Sequence, residues 1–331
     1  MRPNFAILVT AALLVLGSAC LLALGLLLPS PAHAQNKTPD LLQRPATLLT
    51  PADAKPTSES ARAPAPVVAG PGSPHRFVTA DFPGANGSEA FGFADGTTVG
   101  VFAFAGPQNQ SFTFHGGVYK VFSVPGATTT VALAVNGNGQ IAGGYRDSSN
   151  VPHGFVDTSG SFTTIDYPGA GGTLCFDVNL LGHVAGSFTD AAFNQHGFTY
   201  DGSTFTSLDF PGGSQTEANG INSAGEVVGS YVDASNVGHG FTYLGGVYTT
   251  LDPPGSTYTA PFGINDSSVI SGTYNDSHFL THGFLYSNGT FTTVDVHGAS
   301  GGTILNHINN KNQFAGAFYD ASGEDHAITG H

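Results

Sequence analysis

A unit of about 43 residues recurs along most of this chain and constrains its fold more than any other feature. The triplet His-Gly-Phe begins at four positions spaced 43 residues apart, and a degenerate copy, His-Ala-Ile, follows 44 residues later: His153, His196, His239, His282 and His326. A Pro-Gly turn recurs in step with the triplet, ending at Gly84, Gly126, Gly169, Gly212 and Gly255. A fixed period of this length is typical of chains in which one small structural unit packs against its neighbours.

Each unit contains four short segments that are typical of β-strands. In the copy from Phe205 to Gly246 these are FTSLDFPG, EANGIN, EVVGSYVD and HGFTYLGG, which alternate β-branched or aromatic residues with small or polar ones and end in turn residues. The repeats lack the 3.6-residue apolar period of helices, and only 10% of the chain is charged while 46 residues are Gly and 20 are Pro. Four strands in a unit of this length predict the blade of a β-propeller.

The two ends of the repeat region complement each other. Six copies fit between Phe77 and His331; the region begins with an isolated strand, FVTADFPG, and ends after HAITGH, one strand short of a full unit. Pairing these ends would close a ring and remove exposed strand edges. We therefore predict an all-β propeller of six four-stranded blades closed by the N-terminal strand. An open β-solenoid is the alternative, and it would need capping units at its ends.

The repeat, which reads approximately HGFxYxxGxFTTxDxPG followed by GINxxGxVVGsYxD, resembles the HAF family of bacterial extracellular repeat proteins. The resemblance covers Phe77 to His331, and only the first copy departs from the triplet, with Gln110-Ser111-Phe112. It implies secretion or surface exposure. It implies no established activity or catalytic residue, so no site residue is carried over from the family.

The N-terminal segment has the parts of a secretory signal peptide. Arg2 precedes an uncharged apolar stretch over residues 5–28, and Ala32-His33-Ala34 fits a cleavage site. We predict a signal peptide over residues 1–34, a Pro/Ala/Ser/Thr-rich linker over 35–74 and the six-repeat domain over 75–331. The mature protein is then secreted, periplasmic or on the cell surface, without insertion into the membrane. An uncleaved N-terminal membrane anchor is the alternative, because the apolar stretch is long enough to span a bilayer.

The charge balance restricts the partners. The chain has 9 Lys and Arg against 23 Asp and Glu, and from residue 75 onward the numbers are 4 and 20. Affinity for nucleic acid rests on neutralised phosphates, so such a chain is a poor candidate for binding it. Two cysteines exclude a disulfide framework. The negative field favours a neutral or cationic partner, such as a glycan or a basic protein surface.

Aspartate and histidine recur as pairs six residues apart. The pairs are Asp147/His153, Asp190/His196, Asp233/His239, Asp276/His282 and Asp320/His326. The first copy has Phe104 and Gln110 instead, so both partners are absent together, which suggests that the two side chains touch. Because repetition of five identical catalytic sites is implausible, we interpret the pairs as structural clamps on a loop rather than as acid–base or metal sites.

Two further polar series follow the repeat. An Asn precedes a turn in five copies, at Asn136, Asn179, Asn222, Asn265 and Asn309. Such an Asn is expected to tolerate the left-handed conformation and to bond its own backbone. An Asp precedes the Pro-Gly turn, or its His-Gly equivalent, in five copies and would line one rim: Asp81, Asp166, Asp209, Asp252 and Asp295. A ring of carboxylates could hold a cation such as Ca²⁺, but the spacing lacks the dense clustering of a Ca²⁺ loop, so we predict no cofactor.

Function is expected where the copies differ, since the fold needs only the shared positions. Polar residues that break the symmetry include His183, Glu226 and His307, which we take as candidate residues of a ligand-binding face. The chain contains no His-Glu-x-x-His run and no phosphate-binding loop. We therefore predict a binding or scaffold module for a protein or polysaccharide. The alternative is an extracellular hydrolase or lyase that uses the central channel, with or without a divalent cation.

Overall fold

The computed structural model describes residues 75–85, 87–103 and 109–331. The predicted signal peptide and linker lie outside these residues. Within the described residues, no helix has the length and apolar character needed to cross a membrane.

The described chain forms 24 antiparallel β-strands in six sheets of four. Blade 1 consists of β2 (Gly87–Ala94), β3 (Thr97–Ala103), β4 (Asn109–His115) and β5 (Val118–Phe122). Blade 2 consists of β6 (Thr129–Val135), β7 (Gln140–Arg146), β8 (Pro152–Thr158) and β9 (Ser161–Ile165). Blade 3 consists of β10 (Gly172–Val178), β11 (Val184–Thr189), β12 (Gln195–Tyr200) and β13 (Phe205–Leu208).

The second half of the ring repeats this order. Blade 4 consists of β14 (Ser214–Ile221), β15 (Val227–Val232), β16 (Gly238–Leu244) and β17 (Val247–Thr250). Blade 5 consists of β18 (Tyr258–Ile264), β19 (Ile270–Asn275), β20 (Thr281–Ser287) and β21 (Thr290–Val294). Blade 6 consists of β22 (Gly302–Ile308), β23 (Phe314–Tyr319), β24 (Asp325–Gly330) and β1 (Phe77–Thr79). The protein is a six-bladed β-propeller.

The N-terminal strand closes the ring, as predicted. Strand β1 pairs with β24, with Phe77 opposite Gly330, and so supplies the fourth strand of blade 6. The first strands of neighbouring blades contact one another around the whole ring, and the series returns from β22 to β2. The solenoid alternative is therefore wrong, because the last blade is completed by the first strand.

Because the strands of each blade alternate in direction, their connections lie on two opposite faces of the propeller. The loops between second and third strands of blades 2–6 (residues 147–151, 190–194, 233–237, 276–280 and 320–324) lie at one end of the strands, together with the connections between blades. We call this the triad face, because five Asp–His–Asp triads lie there. The turns between first and second strands lie at the opposite end, which we call the asparagine face.

The repeated triplet has a packing role. Its Phe is fully buried in blades 2–5, as Phe155, Phe198, Phe241 and Phe284. In blade 4 the ring of Phe241 lies across Gly229 of β15, where a Cβ would come within 2.7 Å of the ring and 2.0 Å of the Glu217 carbonyl oxygen. Glycine at this place on the second strand leaves the space that the buried ring occupies.

The asparagine series links neighbouring blades. The Oδ1 of Asn222 accepts hydrogen bonds from the backbone N–H groups of Ala224 and Glu226, as the sequence predicts. Its Nδ2 donates to the carbonyl oxygen of Asn265, and bonds of the same kind join Asn136 to Asn179, Asn179 to Asn222 and Asn265 to Asn309. The left-handed conformation belongs to Gly225 rather than to the asparagine, because φ turns positive only at the end of the turn. That part of the sequence expectation was wrong.

Every first strand carries a bulge that faces the axis of the ring. Near the axis, a register shift places one extra residue in each of these strands: Phe91, Leu133, Phe176, Asn219, Phe262 and Asn306. These six side chains line a cavity of about 20 Å³ in the centre of the molecule. The bulge residues therefore fill most of the channel that the six blades enclose.

Candidate binding face and central channel

Each predicted Asp–His pair belongs to a group of three side chains. In blade 4, His239 Nδ1 lies 2.7 Å from an Asp252 carboxylate oxygen and its Nε2 lies 3.4 Å from Asp233. The corresponding distances in the other four groups are 2.7–3.0 Å and 3.5–3.7 Å. The structure thus joins two series that the sequence analysis treated separately, the loop aspartates and the rim aspartates. In blade 6 the rim aspartate is Asp81, which follows the closing strand.

The triads tie the loops of the triad face to the strands beside them. Asp233 Oδ1 accepts the backbone N–H groups of Ser235 and Val237, which shapes the loop. Asp252 Oδ1 accepts the backbone N–H of Gly240 on the third strand. The His239 ring also stacks on Tyr231, with ring centroids 5.3 Å apart. Three neighbouring segments of the blade are therefore held by one imidazole.

The triads affect ionisation. Partial burial by itself lowers the pKa of His239, but the hydrogen bonds and charges of Asp252 and Asp233 outweigh it and raise the pKa above its ordinary value. The same balance raises the pKa values of His196 and His326. Hydrogen bonds from Asn194 hold the pKa of Asp190 at about 2. The loop aspartates of all five triads have a lowered pKa, so they stay ionised and give this face negative charge: Asp147, Asp190, Asp233, Asp276 and Asp320.

Blade 6 extends its triad by one more carboxylate. Ligand atoms of Asp320, Glu324 and His326 lie within 4.8 Å of one another, on the surface. The five rim aspartates each bond the histidine of their own triad. That these rim aspartates hold no cofactor stays a prediction.

Two phenylalanines on the triad face are exposed in an unfavourable backbone conformation. Phe193 in blade 3 has a φ of 65° and Phe279 in blade 5 has a φ of 61°. Equivalent loop positions hold Asn150, Asn236 and Gly323, which adopt the left-handed conformation readily. Phe193 is 66% exposed and Phe279 is 52% exposed, so burial does not offset a conformational cost of about 1–2 kcal/mol.

The central channel contains an acid–base pair that the repeat does not require. Asp177 in blade 3 and His307 in blade 6 follow the bulges of opposite blades, yet Asp177 Oδ1 and His307 Nε2 lie 3.8 Å apart. Their side chains are only 6% and 13% exposed. Burial raises the pKa of Asp177 to about 7 and lowers that of His307 to about 4. Both line the central cavity, and both line a second cavity of about 60 Å³ that opens at the asparagine face.

The three candidate ligand residues do not form one pocket. His307 lies in the channel, whereas His183 and Glu226 follow turns of the asparagine face and line neither of the two cavities. Glu226 accepts hydrogen bonds from Ser268 Oγ at 2.6 Å and from Asn222 Nδ2 at 3.2 Å. Of these three residues, only His307 faces an internal space.

Sequence reasoning missed three of the residues described above, although each carried a signal. Asp177 occupies the same repeat position as His307, where other copies have Ala134 or Gly220. Phe193 and Phe279 stand where other copies have Asn150 or Asn236. Each is a substitution at a position where the fold favours a small or turn-forming residue.

Neither a protein-family model nor a curated protein matches this chain. Among solved structures, it is similar to a mutant of AofleA from Arthrobotrys oligospora, at 10% identity over 78% of this chain and 92% of that one, with a TM-score of 0.45. A mutant of Aleuria aurantia lectin in complex with alpha-methyl-L-fucoside matches at 11% identity over 73% and 90%, with a TM-score of 0.46.

A third similar structure is the β-propeller domain of the Trilobed protease from Pyrococcus furiosus. It matches at 10% identity over 71% of this chain and 79% of that one, with a TM-score of 0.46. Similarity at this level says nothing about what this chain binds.

Proposed function

We propose that this protein is an extracellular binding module whose triad face engages a polysaccharide or a protein. The observation that carries the proposal is the pair Phe193 and Phe279, which are exposed on one face in a conformation that other copies give to Asn or Gly. A strained backbone conformation persists only where the surrounding structure enforces it, and such residues are concentrated at active sites and ligand-binding sites.

The surroundings of the two rings suit a binding surface. Phe279 is followed by the exposed Leu280, so blade 5 presents an apolar patch. Each ring lies in a loop whose first residue is a triad aspartate, Asp190 or Asp276. Aromatic rings pack against sugar rings or apolar side chains, while carboxylates accept hydrogen bonds from hydroxyl or ammonium groups.

The triads also reduce the cost of binding. A loop whose conformation is already fixed loses little conformational entropy when a ligand is bound. Because Asp276 Oδ1 accepts the backbone N–H groups of His278 and Leu280, the Phe279 loop is held in place before any ligand arrives. The triads are proposed as structural clamps that support this face, not as reactive groups.

The test is the double variant Phe193→Asn and Phe279→Asn. Asn is the residue at the equivalent positions of blades 2 and 4, so the variant is expected to melt at the same temperature or slightly higher. Binding is measured by calorimetry with laminarin, xylan, chitosan and poly-L-lysine. At least one of these is expected to bind the parent chain, and the double variant is expected to bind it at least ~10-fold more weakly, which corresponds to about 1.4 kcal/mol.

A matched control is Leu181→Asn, which removes a side chain that is 63% exposed on the asparagine face. It should leave binding unchanged. Equal affinity of the double variant and the parent chain would exclude the two phenylalanines as the binding surface.

The alternative, a channel hydrolase or lyase, rests on the Asp177–His307 pair. The cavities beside this pair measure about 20 and 60 Å³, which is room for a few water molecules. A polysaccharide would therefore reach the pair only if the inner strands moved apart. Release of reducing ends from the same polysaccharides, lost in Asp177→Asn, would establish this alternative.

A further inference from the structure

We propose that Asp177, His307 and the amide oxygens of Asn219 and Asn306 form a site for one first-row divalent metal ion, such as Zn²⁺ or Mn²⁺, in the centre of the propeller. The site is independent of the proposed binding face. It is distinct from the rim aspartates and from the surface cluster at Asp320, Glu324 and His326.

The distance between the Asp177 and His307 side chains fits a shared ion better than a direct hydrogen bond. His307 Nε2 and Asp177 Oδ1 are 3.8 Å apart, which is too long for a hydrogen bond. A zinc ion lies about 2.0–2.2 Å from imidazole nitrogen or carboxylate oxygen. Two donors that share such an ion are therefore separated by up to about 4 Å, which matches the distance found here.

Two amide groups complete the polar lining of the same cavity. Asn219 Nδ2 donates to the Pro261 carbonyl oxygen, and Asn306 Nδ2 donates to Glu89 and to the Ala90 carbonyl oxygen. Within the described part of the chain, their Oδ1 atoms accept no hydrogen bond. The nitrogens point to the next blade, so the oxygens remain available as ligands beside Asp177 and His307.

Asp177 and His307 stand at a repeat position where the other blades have small side chains or none. Other blades have Gly92, Gly220 or Gly263 here, and a Cβ on Gly263 would lie 2.8 Å from the Ile308 backbone nitrogen. Only blades 3 and 6, which face each other across the ring, have an ionisable residue at this position instead of a small one. Burying an acid and a base together in this way is costly unless they are paired or coordinate a metal.

The donor atoms suit a transition-metal ion. His307 Nδ1 is buried and has no hydrogen-bond partner among the described residues. A mixed set of imidazole nitrogen and oxygen donors favours first-row divalent ions over Ca²⁺ or Mg²⁺.

The cavity has the size and the access for a single ion. At about 20 Å³ it accommodates one water-sized particle and no organic molecule. Asp177 and His307 also line the cavity that opens at the asparagine face. An ion can therefore enter from that face and meet both ligands at once.

The test is calorimetric titration of the full chain, stripped with chelator, with Zn²⁺, Mn²⁺ and Ca²⁺ at pH 7. We expect one tight site for Zn²⁺ or Mn²⁺ that Ca²⁺ does not fill. Asp177→Ala and His307→Ala each install the residue that blade 2 has at this position, Ala134, and should fold. Each should weaken binding at least ~100-fold, because loss of even an outer partner of a metal ligand costs about 10- to 100-fold.

Two further variants locate the ion. Glu324→Gln removes a carboxylate of the surface cluster and should leave the tight site intact. Asp177→Asn keeps the shape of the side chain but removes its negative charge, so it should also weaken binding, which covers the case of an unstable alanine variant. The proposal is overturned if Glu324→Gln alone abolishes binding, or if the chain binds none of the three ions and the cavity holds only water.

Discussion

His239 and its four equivalents each lie between two carboxylates, one from a loop and one from the end of the fourth strand. The imidazole is about one quarter exposed, so these contacts are neither fully screened by solvent nor fully buried. Hydrogen bonds to charged groups contribute about 1.5–3 kcal/mol, and partial exposure favours the lower end of that range. Blade 1, which has Gln110 and Ser123 at the corresponding places, manages without a triad.

At this scale we predict that His239→Ala lowers the free energy of unfolding by about 1.5 kcal/mol, because it leaves Asp233 and Asp252 without their common partner. Thermal and urea unfolding measure the change. Gln110→Ala in blade 1 is the control and should have no effect. An unchanged melting temperature for His239→Ala would contradict the clamp interpretation.

The closing strand illustrates how an element only three residues long can determine the stability of the whole ring. Phe77 of β1 is 1% exposed and its ring centroid lies 5.7 Å from that of Phe314. Just after the strand, Asp81 bonds His326 and the backbone N–H of Ala327. Strand β1 therefore joins the two ends of the chain through backbone pairing, an aromatic contact and a triad.

We predict that Phe77→Ala destabilises the protein by about 3–5 kcal/mol, the range for truncating a buried Phe. It should also promote aggregation, since loosening β1 exposes the edge of β24. Urea unfolding and size-exclusion chromatography measure the two effects. Val78→Ala on the same strand changes a half-exposed side chain and serves as the control. Equal stability of the two variants would show that the ring does not depend on this closure.

Across the whole molecule, several buried acids shift the pH dependence of stability in one direction. Burial raises the pKa of Glu89 from 4.5 to about 8, and that of Glu217 to about 7. The folded state therefore keeps protons that the unfolded chain releases above pH 4.5. This contribution is complete below pH 4.5 and is lost as the pH rises through 7 and 8. Asp177 and the triad histidines with raised pKa values act in the same direction.

His307 opposes this trend only in acid. Its pKa falls from 6.5 to about 4 in the folded state, so its contribution is present above pH 6.5 and is lost as the pH drops toward 4. The loop aspartates with pKa values near 2, Asp190 and Asp320, likewise matter only in acid. Above pH 6.5 the contribution of His307, Asp190 and Asp320 to stability no longer changes with pH.

We therefore predict that the melting temperature falls between pH 6.5 and pH 9. Glu89→Gln removes the acid whose pKa is raised to about 8, while it keeps an oxygen that can accept the Asn306 hydrogen bond. The variant should show a smaller difference in melting temperature between pH 6.5 and pH 9, as measured by scanning calorimetry. A melting temperature that is constant or rises over this range would contradict the assignment of these buried acids.

The sequence by itself determined the blades, their number and the way the ring closes. These follow from spacing alone: alternation predicts strands, the 43-residue period repeats them, and the missing last strand matches the isolated first one. The contact within each Asp–His pair could also be inferred from the sequence, because the two residues lie only six positions apart, occur together in five copies and are missing together from the first. Such features depend on residues that are close in the sequence or repeat at a fixed period, so the sequence alone predicts them.

Only the tertiary structure decided which of the remaining polar residues meet. Asp177 and His307 are 130 residues apart in the sequence and come together because a ring of six brings opposite blades to one narrow axis. The rim aspartates join the loop pairs because antiparallel strands return the end of the fourth strand to the start of the third. The exposure and the left-handed backbone of Phe193 likewise depend on the loop being clamped. Spacing specifies each blade, but the positions at which blades face one another are set by closure of the ring.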